Sequence, residues 1–206
     1  QGVLTQFSVD IKKIDQLLES NHPLYGSPIW LQKCNSDLDL VFGPEYPITQ
    51  VSHINDILLN EEPRGALRQI FMIGLKSKIR NDIVDGTPLD WDTTVKHDKV
   101  QIHHIFPQDW CRNNSALNPV IATNGVNCIA NLCPLKAHTN NTWKASSPST
   151  AILTAGITYQ NNNSAFDGAF IDNTSFGFLQ SDNIDLFWRR RADVMANYFY
   201  RKQLIQ

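Results

Sequence analysis

A proline closes the short run Val100-Gln101-Ile102-His103-His104-Ile105-Phe106-Pro107, and that run constrains the middle of the chain more than any other stretch. Its β-branched and aromatic residues favour a pleated backbone, while Pro107 lacks the N–H that a continuing ladder would need. Successive side chains on a strand point to opposite faces, so His103 and His104 meet different surroundings unless the strand ends or bulges between them. Histidine suits two tasks at such a place. Its neutral imidazole is a metal ligand, and its unperturbed pKa of about 6.5 lets it accept a proton near neutrality.

Beyond a polar loop at residues 108–124, in which Gln108-Asp109-Trp110 begins a helical turn, residues 125–135 read as a second strand. Ile129, Leu132 and Leu135 are its apolar residues and Asn131 stands at its centre. The polar stretch Lys136-Ala137-His138-Thr139-Asn140-Asn141-Thr142-Trp143-Lys144 then turns into a helix, with Thr139 or Asn140 near its start. Asn-Asn and Thr-Asn pairs serve ordinarily as turn or cap residues, and a His-His doublet as a structural pair. The joint pattern of strand, long loop, strand and helix is what points further.

That order, with His103-His104-Ile105-Phe106-Pro107, Ile129-Ala130-Asn131-Leu132 and Thr139-Asn140 in place, resembles the C-terminal HNH (His-Me finger, ββα-metal) nuclease domain of GmrSD-type restriction and phage-defence proteins. The motif covers residues 101–148, and a weaker likeness extends over residues 64–82, 87–91 and 187–191. The resemblance implies that His104 is the general base, His103 a metal ligand and Asn140 a second ligand on the helix. Asn131 would hold the loop or the base in place. Asn141-Thr142-Trp143-Lys144 also resembles the Asn-x-x-Lys of some HNH helices, so Asn140 and Asn141 compete for the ligand position, with Asn140 on the family's Thr-Asn. Lys144, four residues after Asn140, would add a cation from the same helical face toward the same phosphate.

Hydrolysis of a phosphodiester needs a base for water and a cation that offsets charge on the phosphate and on the leaving oxygen. One imidazole and one amide oxygen leave positions open for water and phosphate, which suits Mg²⁺, while the nitrogen ligand also suits Mn²⁺, Ni²⁺ or Zn²⁺. The expected partner is DNA. An RNase using the same site, or a catalytically silent DNA-binding or assembly module, are the alternatives. The parent protein would add an N-terminal part that uses NTP and senses modification; no Walker-type glycine loop occurs in these 206 residues.

Composition limits the mode of binding. A net charge of −2 and a pI near 6.3 argue against a broad phosphate-binding surface. Arg189, Arg190 and Arg191 form the densest basic cluster, and Arg189 and Arg190 are the candidate nucleic-acid contacts beside Lys144. Three consecutive helical residues spread around most of the circumference and cannot all meet one strand. No apolar run is long enough for a membrane span, and a first residue Gln1 reads as the start of an excised piece. Cys34, Cys111, Cys128 and Cys133 form no Cys-x-x-Cys pair, which suits buried packing in a reducing cytoplasm. A zinc knuckle from Cys111, Cys128, Cys133 and His138 stays open as a minor alternative.

The expected architecture is α+β and mainly helical, with a helical part at 1–99, the ββα-metal motif at 100–150 and a helical part at 151–206 packing on the same domain. Residues 8–20 read as an amphipathic helix and 21–50 as a long connection. Residues 52–60 form a short helix, and Glu61-Glu62-Pro63 opens one that runs to residue 82, apolar around much of its circumference and therefore interior. Residues 149–157 form a short helix. Asn161-Asn162-Asn163-Ser164 and Asp172-Asn173-Thr174-Ser175 read as loops, and Phe166, Phe170, Phe176 and Phe178 as core rather than a base-stacking platform. Residues 183–204 are a helix capped by Asp182.

Overall fold

Ile54, Ile57 and Leu58 recur at helical spacing, and their burial against the core defines the first helix, α1 (Val51–Asn60). The computed structural model describes residues 51–60, 65–114 and 125–201. The expected helix at 8–20, the connection at 21–50, the helix start at Glu61-Glu62-Pro63, the body of the loop at 115–124 and the tail after 201 lie outside the described residues.

Helix α2 (Gly65–Lys78) stops short of residue 82. Among its described side chains Phe71 and Leu75 are buried but Ile73 is 64% exposed, so the all-round burial its composition suggested does not hold at Ile73. It packs closely on the C-terminal helix. A Cβ on Gly74 would collide with the Phe199 ring, which also meets Phe71 in a T-shaped contact at 5.3 Å between centroids.

The chain then folds into a tight turn. Asp82 N–H donates to the Thr87 carbonyl, Gly86 N–H donates back to the Asp82 carbonyl, and Gly86 takes the left-handed φ of 72° that favours glycine. This turn buries the Asp82 carboxylate completely. Strand β1 (Val100–His104) pairs antiparallel with β2 (Leu132–Lys136), placing His103 opposite Cys133 and His104 opposite Leu132. Pro134 is tolerated because each strand of a two-stranded sheet has a free edge. Helix α3 (Gln108–Asn113) follows Pro107, and a 3₁₀ turn, Ile129–Asn131, leads into β2. Asn131 therefore ends that turn and does not occupy the centre of a longer strand, a correction to the expected strand at 125–135. Helix α4 (Ala137–Trp143) leaves β2 directly and lies on the hairpin.

Four helices complete the described chain: α5 (Pro148–Thr154), α6 (Tyr159–Gly168), α7 (Asn173–Gln180) and α8 (Ile184–Arg201). The two asparagine-rich stretches expected as loops are helical. Thr158 and Asp172 each accept a backbone N–H from the first turn, and these caps compensate for poor helix formers. The polar run leaves its mark as a kink at Asn162. Asp182, expected to cap α8, sits at φ 50° and accepts instead from Ser149 N–H and hydroxyl at the start of α5, while Asn183 accepts from Leu186 N–H to cap α8. Phe166, Phe170 and Phe176 are buried and Phe178 is half-buried in the core.

The described residues thus form an α+β fold that is mainly helical, with the hairpin and α4 as its only ββα unit among them. Asp82 ties the earlier turn to that unit. Its carboxylate accepts from Lys136 N–H at 2.8 Å, the Thr139 hydroxyl at 2.6 Å and Val84 N–H at 2.8 Å. Burial raises its pKa and these bonds oppose the rise. Replacing Asp82 by Ala strands several buried donors, so the expected loss is about 2–4 kcal/mol, against under about 1.5 kcal/mol for Thr139→Ser, both read from urea denaturation.

Candidate active site

The alternation of β1 sorts its polar residues. Gln101 and His103 share one face of the hairpin, the face covered by α4. Asn140 of α4 lies close enough to the His103 ring to act on its pKa, and donates through Nδ2 to Gln101 Oε1 at 2.7 Å. Trp143, one turn further along, meets the His103 ring edge to face at 5.8 Å and donates from its indole N–H to the Ile105 carbonyl at 3.1 Å. Thr139 anchors the other side of the helix through its bonds to Asp82 and to the Lys136 carbonyl. Helix α4 is thereby fixed at both ends with Asn140 toward His103.

His103 is 7% exposed. Burial, then the neighbouring His104, pulls its pKa down to about 4, and Asn140 opposes the fall. The ring is neutral at physiological pH, and its Nε2 is buried with no hydrogen-bond partner. An unpartnered imidazole nitrogen in a neutral ring, on a face of the hairpin that also carries the amide of Asn140, has the donor character a divalent cation takes. His103 and Asn140 therefore fit a metal with few protein ligands.

His104 faces the other way. Its Nε2 lies 3.0 Å from Asn127 Oδ1, which also receives Gln108 Nε2 at 2.6 Å. The same His104 Nε2 also lies 3.5 Å from Gln108 Nε2, so the ring nitrogen meets both amides of this pair. Asn131 is fully buried and joins both ends of the loop between the strands. It accepts from Phe106 N–H at 2.8 Å and donates to the carbonyls of Phe106 at 3.0 Å and Val126 at 2.8 Å. It does not touch His104 directly but fixes the two backbones from which His104 and Asn127 project.

Other expected residues lie elsewhere. Asn141 is exposed, about 100° round the helix from Asn140, and does not join His103. Lys144 is the C-cap of α4: its N–H still donates to the Asn140 carbonyl at 2.8 Å, while its own φ 49° and ψ −131° are no longer helical. Arg189 is paired with Asp185 at 3.0 Å and Arg190 with Asp172 at 2.6 Å, both exposed. Arg191 points inward, donating to the carbonyls of Ala130, Leu132 and Ala169. The basic cluster is thus one buried structural arginine and two arginines already matched by carboxylates.

No group of three or more His, Cys, Asp or Glu among the described residues is placed to hold a metal. His138 bonds to the His97 carbonyl at 3.1 Å and to Asp85 at 3.2 Å, both raising its pKa, so the zinc-knuckle alternative has no assembled ligand set. Gln101, Asn127, Gln108 and Asp82 were not expected at the site. The period-two alternation of β1 carried a signal for Gln101; Asn127 and Asp82 reach their partners across 23 and 54–57 residues, where local pattern carries none. The chain matches no family model, and no curated protein and no solved structure shows significant similarity to it.

Burial pushes the thiols of Cys111, Cys128 and Cys133 up to about 11, 12 and 12. Only thiolate reacts, so in a Cys34→Ser variant a disulfide reagent at pH 8 should leave the three native thiols unmodified and titrate all of them after unfolding in guanidinium. Rapid native labelling of Cys133 would show that β2 is open to solvent.

Proposed function

We propose that this domain is a metal-dependent endonuclease or nickase of the HNH kind that hydrolyses DNA phosphodiester bonds, serving as the catalytic C-terminal module of a cytoplasmic restriction or phage-defence protein whose N-terminal part recognises DNA. The observation that carries the reading is the meeting of His103 and Asn140 across β1 and α4, with His103 neutral and its Nε2 unpartnered. Mg²⁺ fits such a sparse set and Mn²⁺ is the alternative. When bound, the cation offsets charge on the scissile phosphate and on the leaving oxygen.

The remaining steps fall to the chain itself. Asn127 holds the His104 ring through its contact at Nε2, orienting the imidazole that takes a proton from water. Gln108 donates to the same Asn127 oxygen and so keeps that amide from rotating. Burial of Trp143 behind His103 excludes water from the far side of the ring. A second reading, a ββα scaffold without cleavage, draws on the placement of His104 and Asn140 on opposite faces of β1.

A nicking assay on supercoiled plasmid with Mg²⁺, Mn²⁺ or EDTA, run beside an RNA of the same sequence, separates the readings. Cleavage is expected with metal and absent with EDTA. His104→Ala should lower turnover by about 10²-fold or more with DNA affinity nearly unchanged. His103→Ala and Asn140→Ala should raise the metal concentration needed for half-maximal cleavage. Binding without cleavage under all metals sinks the nuclease reading in favour of the silent module, and preferential cutting of the RNA reassigns the substrate.

A further inference from the structure

Asn140 presents an amide whose two ends differ: only the oxygen can ligate a cation, and only the nitrogen can donate. Which end faces His103 depends on the partner of the other end. That partner is Gln101, whose Oε1 accepts Asn140 Nδ2 at 2.7 Å from two residues before His103 on the same face of β1. That bond fixes the nitrogen end of the amide on Gln101 and leaves the oxygen as the end available to another partner. We infer that Gln101 is a positioning residue that holds Asn140 Nδ2 and so sets the amide oxygen as the donor atom that the site offers to a divalent cation.

The inference rests on the proposed metal role of His103 and Asn140, but the orientation itself is a property of the metal-free chain. Gln101 is exposed, so its replacement removes no core contact. Methionine keeps much of its length and offers no comparable acceptor; glutamate keeps the acceptor. In an Asn140→Asp background both ends of the side chain are oxygens, and no orienting partner is needed.

The experiment reads two quantities on the full chain. In ¹⁵N-labelled metal-free protein, the Asn140 side-chain amide proton signals should move upfield or broaden in Gln101→Met and stay near their original positions in Gln101→Glu. By calorimetry with Mn²⁺ alone, Gln101→Met should weaken binding about tenfold in the wild-type background and less than about twofold in the Asn140→Asp background. Unmoved Asn140 signals in Gln101→Met overturn the inference, as does an equal loss of Mn²⁺ affinity in both backgrounds. Absence of Mn²⁺ binding to the wild-type chain, with Asn140 signals that still respond to Gln101→Met, sinks the nuclease reading and leaves the orientation supported.

Discussion

The Asn131 amide is the joint on which the ββα unit depends. Both ends bond to the backbone: the oxygen takes Phe106 N–H, and the nitrogen serves the carbonyls of Phe106 and Val126. The backbone of Asn131 adds a further bond, accepting from Ile105 N–H at 2.8 Å. These bonds stop β1 at His104 and bring the end of a long loop back to its beginning. A buried amide making three neutral bonds is retained because removal of any partner leaves a desolvated group, at about 1–3 kcal/mol each. Aspartate in that place would supply acceptors where two carbonyls need donors, so the residue type is as constrained as the position.

Support for this joint comes from below, through α8. Arg191 is completely buried and gives its guanidinium to the carbonyls of Ala130 and Leu132, which flank Asn131, and to Ala169 at the end of α6. Desolvation pulls its pKa down, the cost of holding a cation in this place. The C-terminal helix thus reaches the turn before β2 by polar contacts as well as by Phe187 and Trp188, whose rings stack around Phe106. Asp82 plays the matching part from the N-terminal side, at the junction of β2 and α4. Two buried charges of opposite sign, on segments far apart in sequence, hold the two ends of one short strand.

Much of this order was legible in the chain, and the failures have a common physical source. The proline-closed strand, the helix after β2, the core phenylalanines and the apolar stripe of α8 follow from periodicity and turn chemistry, which act over a few residues. Asn162 and Asp182 were misread because caps are chosen by competition between nearby helix ends: Asp182 lies next to α8 in sequence but next to α5 in space. The conformation of Lys144 was hidden for a related reason: local pattern does not say that the chain turns to φ 49° at the residue whose N–H closes the last turn of α4. Arg191 could not be told from Arg189 and Arg190 by composition. Only the rotation of α8 against the 3₁₀ turn decides which of three neighbours enters the core.

Electrostatics narrows what the proposed site can do by itself. Arg189 and Arg190 spend their charge on Asp185 and Asp172, and Lys76 and Lys78 lie over the rings of Trp91 and Tyr198 at 4.7 and 5.6 Å. A phosphate backbone approaching these groups competes with partners already in place, on a chain whose net charge is −2. Counterion release, the general source of sequence-independent affinity for DNA, scales with the number of phosphates neutralised, so little of it is available along these surfaces. The proposed chemistry then requires that attraction for the substrate come from the cation proposed at His103 and Asn140, or from the N-terminal part proposed to accompany this domain. In either case the ββα unit would contribute turnover rather than binding, which agrees with a fold whose strongest buried contacts are devoted to holding α4 and the loop in register.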